Sequence, residues 1–317
     1  MIPATLHLVW LGQTFPWLNA LAIVSAAERG GFERIVLHTD CEPRIVLAHW
    51  GLARLAILEI RAIDVAALAQ AAGRDVPSVQ RLYTAMTGPA ARSDVLRALI
   101  LAAEGGVYLD MDTITIASLS ALRASHDAFV GQERICFPTW STRRPALREL
   151  VRAYGLSALR YGFSVIPGGF RGFARLEPHL KLAVNNAVLG CRAHHPFIEA
   201  YVSAMLALPL EQAARRYAIG PHLLARVCRE FERHAEPVSL LESHVFYPLP
   251  PVISEHWWRT TSNPALPEVL SEGTLVVHWY ASVRSKKLAQ RVDAAYVRSR
   301  EHRELFSRLA ASYLHAC

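Results

Sequence analysis

The sequence has no Cys-x-x-Cys pair. Its five cysteines, Cys41, Cys136, Cys191, Cys228 and Cys317, are scattered along the chain, which excludes a zinc ribbon and favours reduced packing thiols over a disulfide framework; a catalytic thiol is the minor alternative. No run of about 18 uncharged apolar residues occurs. The opening MIPATLHLVWLG carries no basic segment ahead of an apolar one, so a soluble, cytoplasmic chain is expected. Internal repeats and low-complexity linkers are also missing, which leaves any domain boundary soft. Charge is sparse at 19%, yet the balance of 34 Lys and Arg against 27 Asp and Glu gives +7. That balance suits anionic partners such as nucleotide diphosphates, acidic glycans, membrane surfaces or nucleic acid without choosing among them. At 317 residues and 52% hydrophobic, the chain is long and apolar enough for a large buried core.

Taken in order, Thr5 to Leu11 is a β-branched and apolar run ending at Gly12, and Ile35 to His38 is a second. The helix-length segment Trp17 to Arg29 between them stops at Gly30-Gly31, so the chain opens as strand, helix, strand, the parallel unit of an α/β fold. Leu55 to Ile60 reads as a third strand, followed by a helix over Ile63 to Ala72. Pro89 suits a first helical turn, Val95, Leu96, Leu99, Ile100 and Ala103 recur at helical spacing, and Gly105-Gly106 ends the helix. Val107-Tyr108-Leu109 is then a strand that delivers Asp110 and Asp112 at its C-terminal end, where parallel sheets place ligand crevices. Further on, Tyr161 to Phe173 reads as a Gly-rich loop lining a cleft, and a mostly helical second half is expected from Val184 to His195, Ile198 to Leu208 and Leu223 to Phe231. Tyr247 to Pro267, with five prolines, reads as a surface excursion, and Thr274 to Tyr280 as a strand. From Lys286 to Cys317 an amphipathic helix is expected, with Leu288, Val292, Tyr296, Leu305, Phe306 and Leu309 packed on the body and a basic face in solvent. Contact of that face with anionic lipid or an acidic acceptor is the sharper alternative.

Two aspartates one residue apart on a strand project to the same side. They form a hard oxygen anchor suited to Mg²⁺ or Mn²⁺ bridging to a diphosphate; the plainer reading is a solvated turn. Asp94 and Arg97, three apart on the preceding helix, share a face. Alone they are a surface ion pair; beside the strand end they are a sugar and phosphate contact.

The arrangement Ser93-Asp94-x-x-Arg97, then Gly105-Gly106-Val107-Tyr108-Leu109-Asp110-x-Asp112, resembles the DXD-motif glycosyltransferases of GT-A fold, the GT32-like sugar transferases related to the catalytic domains of large clostridial glucosylating toxins. Supporting matches run in order: Ile2-Pro3 with His7 to Gly12, Asp40, Asn185-Asn186 ahead of His195-Pro196, Gly220-Pro221, Phe246-Tyr247-Pro248, and His278-Trp279 with Ser282. The family's closing Trp is Val283 here, a departure that bears on closure over the donor. The resemblance implies an α/β GT-A fold with a mixed, Rossmann-like sheet over 1–283, in which 1–115 binds the nucleotide sugar and 116–283 faces the acceptor, with 284–317 as the basic helix. It implies a retaining, metal-dependent transfer of a sugar from a nucleotide-diphosphate donor, UDP- or GDP-linked, to a glycan, lipid-linked or other hydroxyl acceptor, as in polysaccharide biosynthesis. Mn²⁺ (or Mg²⁺) is the implied cofactor. Trp10 would stack on the base and Ser93 lie near the ribose; Asp94 and Arg97 would hold the sugar beside Tyr108, with Asp40, Asn185 and Ser282 lining the donor site. Asp110 would contact ribose or sugar and assist the metal, Asp112 ligate it, and His278 supply a C-terminal ligand or phosphate contact. Two rivals differ in class. A silent nucleotide-sugar-binding protein would keep the fold without turnover, and a basic nucleic-acid binder lacks any recognised motif.

Overall fold

A computed structural model describes residues 1–49, 51–136, 147–261, 265–281, 288 and 290–316. Ser282 and Val283, named above, lie outside the described residues, as does most of 282–289. The described strands are β1 (Thr5–Trp10), β2 (Arg34–Thr39), β3 (Leu58–Ala62), β4 (Gly106–Leu109), β5 (Thr113–Thr115), β6 (Ala128–Ile135), β7 (Lys181–Cys191), β8 (Ser239–Leu241) and β9 (Val276–His278). The helices, in chain order, are α1 (Trp17–Arg29), α2 (Pro43–Leu47), α3 (Val65–Ala71), α4 (Val76–Ala85), α5 (Pro89–Glu104), α6 (Ser120–Ser125), α7 (Leu147–Val165), α8 (Phe170–Phe173), α9 (Pro196–Ala207), α10 (Leu210–Ala213), α11 (Leu223–Phe231) and α12 (Ser243–Phe246). Two short helices, Ala294–Arg300 and Leu305–Ala311, follow.

Seven strands form one mixed sheet in the order β3-β2-β1-β4-β7-β6-β8, and β5 pairs with β9 in a small antiparallel ribbon. β3, β2, β1 and β4 are parallel, whereas β7 runs antiparallel to both β4 and β6. The expected α/β class with a mixed, helix-flanked sheet is therefore the fold this chain adopts. Connections from β1 run outward through β2 and β3, then return to β4 on the other side of β1. A parallel sheet opens a crevice at such a switch point, beyond the C-terminal ends of the strands. Side-chain alternation fills both faces: Leu6 and Leu8 pack with α1 and the C-terminal helices, while Val9 and Tyr108 pack with α4, α5, α9 and α11.

Local chemistry explains the elements nearest the crevice. Asp64 and Asp75 cap α3 and α4 by accepting from Ala67 N at 3.0 Å and Ser78 N at 2.9 Å. Pro89 occupies the first turn of α5, where its missing N–H is no loss. Gly105 and Gly106 follow with φ of +66° and +99°. A Cβ at Gly105 would lie 2.4 Å from Ala193 N, and one at Gly106 2.6 Å from Thr5 O; only glycine turns the helix directly into β4 here.

Four expectations are corrected. Tyr161 to Val165 is the last part of the 19-residue α7 rather than a cleft loop, and the Gly-rich turn is confined to the junction with α8. Val184 to Cys191, expected within a helical half, belongs to β7, the longest strand among the described residues; because most of these residues are buried, the run lacks the clean alternation of a half-buried strand. The Pro-rich stretch enters the core instead of skirting it, with Tyr247, Ile253 and Trp257 fully buried. The C-terminal segment is broken into short helices, and Phe306, Leu309 and Tyr313 are buried among the residues of the α1 side. Phe306 stacks on Trp258 at 3.9 Å.

A histidine pair ties β1, β2 and the Gly-Gly turn together. His7 Nε2 lies 3.0 Å from Gly105 O, and its Nδ1 lies 3.1 Å from His38 Nε2. Since the carbonyl only accepts, His7 donates from Nε2 and accepts from His38 through Nδ1. Burial pushes His7 down to about 4 and His38 down to about 3, from an ordinary 6.5. The unfolded chain takes up these protons below pH 6.5 and the folded chain does not, so acid weakens the fold progressively until the pH reaches the folded values. By pH 5 each histidine has lost about 2 kcal/mol of its contribution; urea midpoints at pH 7 and pH 5 check this, and His7→Asn flattens the difference. Gly106→Ala, forced into positive φ against Thr5, lowers the urea-derived stability by about 2–4 kcal/mol.

Candidate active site

The site begins with α5, which presents Ser93, Asp94 and Arg97 toward the end of β4. Tyr108 points to the same side of the sheet, and its ring lies under the Arg97 guanidinium at 4.5 Å. Arg97 is 3% exposed, so each of its donors needs a partner within the protein. Its Nε donates to Ser93 O at 3.3 Å, one terminal nitrogen donates to Asn186 O, and the other lies 3.1 Å from both Asp94 Oδ1 and Asp110 Oδ1. The same nitrogen is 3.3 Å from Ser93 Oγ. Tyr108 donates to Asp110 Oδ1 at 2.8 Å and meets Ser93 Oγ at 3.0 Å. Far from being a surface ion pair, Asp94 and Arg97 belong to a buried network that holds Asp110 in place.

Asp112 is held from the other end of the chain. β4 stops at Leu109, and a turn over 110–112 leads into β5. Pairing of β5 with β9 puts Thr113 opposite His278. His278 Nε2 lies 2.9 Å from Asp112 Oδ1, and Ala281 N donates to Asp112 Oδ2 at 2.7 Å. Each of Asp110, Asp112 and His278 offers a ligand atom within 4.8 Å of the others. The donor set fits a divalent cation, since two carboxylates and an imidazole of a buried cluster converge and His278 Nδ1 is buried without a hydrogen-bond partner.

An irregularity in the sheet supplies further groups. Between Val130 and Gly131 the β6–β7 register shifts, so that Val130 faces Leu189 but Gly131 faces Asn185. The residues of β7 left over bulge toward β4, where Ala187 O accepts from Asp110 N at 2.9 Å. Such bulges re-aim side chains. Asn186 donates to Asp94 Oδ1 at 2.7 Å, whereas Asn185 points elsewhere and donates to Glu133 Oε2 at 2.7 Å. Glu133 Oε2 also accepts from Tyr280 at 2.8 Å, and the Tyr280 ring meets His278 edge-on at 4.1 Å. Asn185, expected on the donor side, thus reaches the His278 half through Glu133 and Tyr280. Gly220 closes the other flank, since a Cβ there would lie 2.6 Å from Asp94 Oδ2.

Trp10 and Asp40 stand at the ends of β1 and β2. Trp10 donates from Nε1 to Thr14 O at 2.8 Å and meets Phe15 edge-on at 5.5 Å; Asp40 Oδ1 accepts from Gly12 N at 2.7 Å. Both stand at the C-terminal ends of their strands, and their hydrogen bonds go to Thr14, Gly12 and Gln13 rather than to the Arg97 network. Glu133, Asn186, Tyr247 and Tyr280 had not been assigned roles from the sequence. Asn186, Tyr247 and Tyr280 sit inside or beside matched motifs, while Glu133 lies in a stretch that carried no motif or period.

Four carboxylates, Asp94, Asp110, Asp112 and Glu133, share this volume with one guanidinium and one imidazole. Burial pushes Asp94 up to about 6 against the pull of Arg97. Burial also raises Asp110, with Arg97 opposing it, and raises Glu133 against the bonds from Asn185 and Tyr280. Burial acts on Asp112 in the same sense, yet His278 and the Ala281 N–H outweigh it and hold this carboxyl low. His278 is raised, burial being outweighed by Asp112. The cluster holds more acid than base, and a cation relieves that excess.

Residues 29–130 match a family model described as "Glycosyltransferase sugar-binding region containing DXD motif", which takes in Asp94, Arg97, Asp110 and Asp112. Among solved structures, the mouse xyloside xylosyltransferase 1 apo form is similar at 17% identity, with 88% of this chain and 98% of that chain covered and a TM-score of 0.47. The PaToxG glycosyltransferase is similar at 15% identity over 72% of this chain and 69% of that one, TM-score 0.42. The UDP-bound glycosyltransferase domain of the YGT toxin is similar at 12% identity over 76% and 79%, TM-score 0.43. At these scores the structural likenesses assign neither a substrate nor a site residue to this chain. A comparison with curated proteins gives no match.

Arg97→Met strands Asp94 and Asp110 without their shared cation and lowers stability by about 3–5 kcal/mol. Chemical denaturation of Arg97→Met beside Asp94→Asn/Arg97→Met checks this, the double variant recovering part of the loss because one stranded carboxylate is gone.

Proposed function

We propose, for a chain whose residues 29–130 match a model of the DXD-containing glycosyltransferase sugar-binding region, a divalent-cation-assisted transfer of a sugar, with retention at the anomeric carbon, from a UDP- or GDP-linked donor to a hydroxyl acceptor. The observation that carries this reading is the convergence of Asp110, Asp112 and His278 beside the Arg97 network. Residues 1–115 form the donor half. Trp10 offers an aromatic face for the base, and Asp40, Ser93 and Tyr108 line the path from ribose to sugar. Asp94 accepts sugar hydroxyls. Arg97 holds the sugar beside Asp94 while fixing Asp94 and Asp110 in place. Asp110, Asp112 and His278 would hold Mn²⁺ or Mg²⁺, the nitrogen ligand favouring Mn²⁺. When bound, the cation supplies Lewis-acid neutralisation of charge on the departing diphosphate.

Retention follows from front-face attack. The acceptor oxygen bonds to the anomeric carbon on the side from which the diphosphate leaves, the bond from that carbon to the phosphate oxygen breaks, and the acceptor proton passes to the departing phosphate. Residues 116–283 form the acceptor half, and a groove of about 360 Å³ lined by Gln132, Val184, Pro221, His222, Arg229 and Leu240 is the acceptor side. It shares a wall with the donor site, because Pro221 follows Gly220, which backs Asp94 and Asn186.

Hydrolysis of UDP- and GDP-sugars, followed with Mn²⁺ and with EDTA, tests the reading. Activity requires Mn²⁺ or Mg²⁺ and falls at least ~100-fold in Asp112→Ala. Binding of a nucleotide sugar without turnover under any metal condition would instead identify a silent binding protein of the same fold, and absence of both binding and turnover would reject the donor assignment.

A further inference from the structure

The longest helix of the described chain exposes apolar side chains on a scale found nowhere else among the described residues. Leu147 is 77% exposed, Val151 64%, Leu159 52%, Tyr161 64%, Val165 45% and Ile166, just past the helix end, 54%. The opposite side of α7, through Ala153, Phe163 and Ser164, faces the body, and Phe163 packs edge-on against Phe173. At ~100° per residue the exposed apolar residues, with Gly155 and Ala158 between them, cover nearly half of the helix circumference. A helical partner would need only a narrow seam; a face this wide matches a helix lying in an interface.

Charge selects the interface. From Leu150 to Leu176 the sequence has Arg152, Arg160, Arg171 and Arg175 and no Asp or Glu. Glu149 at the start of the helix is met by Lys181 at 3.6 Å, and Arg171 by Glu268 at 2.7 Å. Arg148 and Arg152 border the apolar face on one side; Arg152 also donates to His179 O at 3.0 Å, and the long stem of Arg148 can lie along apolar surface while its charge reaches headgroups. In a chain of net charge +7, this combination complements an anionic bilayer.

The helix also lies at the working end of the sheet. Cys136, which ends the described part of the β6 segment, and Lys181, which opens β7, line a small cavity together with Arg152, Ala153 and Leu156 of α7. Glu133 is three residues from Cys136 along that ribbon, roughly 10 Å in an extended strand. We propose that α7 docks the enzyme on an anionic lipid surface, with its apolar face at the level of the acyl boundary and the crevice turned toward that surface. This docking does not depend on the glycosyltransferase reading, and its test reads binding alone.

Full-length protein is floated with vesicles of phosphatidylcholine and of phosphatidylcholine mixed with phosphatidylglycerol, at low and high salt. The chain partitions onto the mixed vesicles and is released by salt. Val151→Ser/Leu159→Ser/Tyr161→Ser reduces partition at least ~10-fold, and Arg148→Glu/Arg152→Glu removes the preference for phosphatidylglycerol. Circular dichroism and the urea midpoint verify that both variants stay folded, which the exposure of these side chains favours. Equal partition of wild type and triple-serine protein, no partition of the wild type, or equal affinity for neutral vesicles overturns the proposal. So does a wild-type dimer in analytical ultracentrifugation that the serine variant converts to monomer without any vesicle binding, which would assign the face to a second copy.

Discussion

The guanidinium of Arg97, almost closed off from solvent, touches two carboxylates, a hydroxyl and two backbone carbonyls, and lies over the ring of Tyr108. Such a group is tolerable inside a protein only when its charge and all its donors are answered. Satisfying it fixes α5 against β4 and β7 at the same time. Asp94 and Asp110 are placed as a by-product of that requirement, and with them one side of the crevice. The carboxylates are correspondingly dependent: burial pushes each upward, and Arg97 opposes it.

The crevice exists because of how the sheet is wound. Its strand order reverses between β1 and β4, which leaves the C-terminal ends of two parallel strands uncovered by a crossover. Gly105 and Gly106 make the approach to β4 tight enough for Asp110 to emerge beside α5, and the register shift in β6 and β7 brings Asn186 to Asp94 while turning Asn185 to Glu133. The β5–β9 ribbon then carries His278 to Asp112. Each device is backbone geometry in service of a few side chains.

The charge distribution is divided. The molecule as a whole is basic, yet its interior cluster is acidic, with four carboxylates against Arg97 and His278. A cation inside and anionic ligands outside are complementary answers to that division. The described residues contain no helix long and apolar enough to cross a membrane, and the exposed face of α7 is oriented to lie along a surface rather than through one.

Much of the frame up to Asp112 was legible in the residues. The periods of Thr5 to Trp10, Trp17 to Arg29 and Val95 to Ala103 are local properties of the chain, and so are the Gly-Gly stop and the spacing of Asp94, Arg97, Asp110 and Asp112. The later segments were less readable, because β7 is covered on both faces and so lacks a clean alternation, and because the aromatic and proline-rich stretch around Trp257 is apolar without any period. What the sequence by itself determined is the set of local elements and the acidic pair at the end of one strand. Only the tertiary structure decided that Asn186 rather than Asn185 meets Asp94 across 92 residues, that His278 meets Asp112 across 166, and that Glu133 joins them. Those contacts are set by strand pairing, a bulge and burial, which act between segments far apart in the chain and leave no periodic mark on either one.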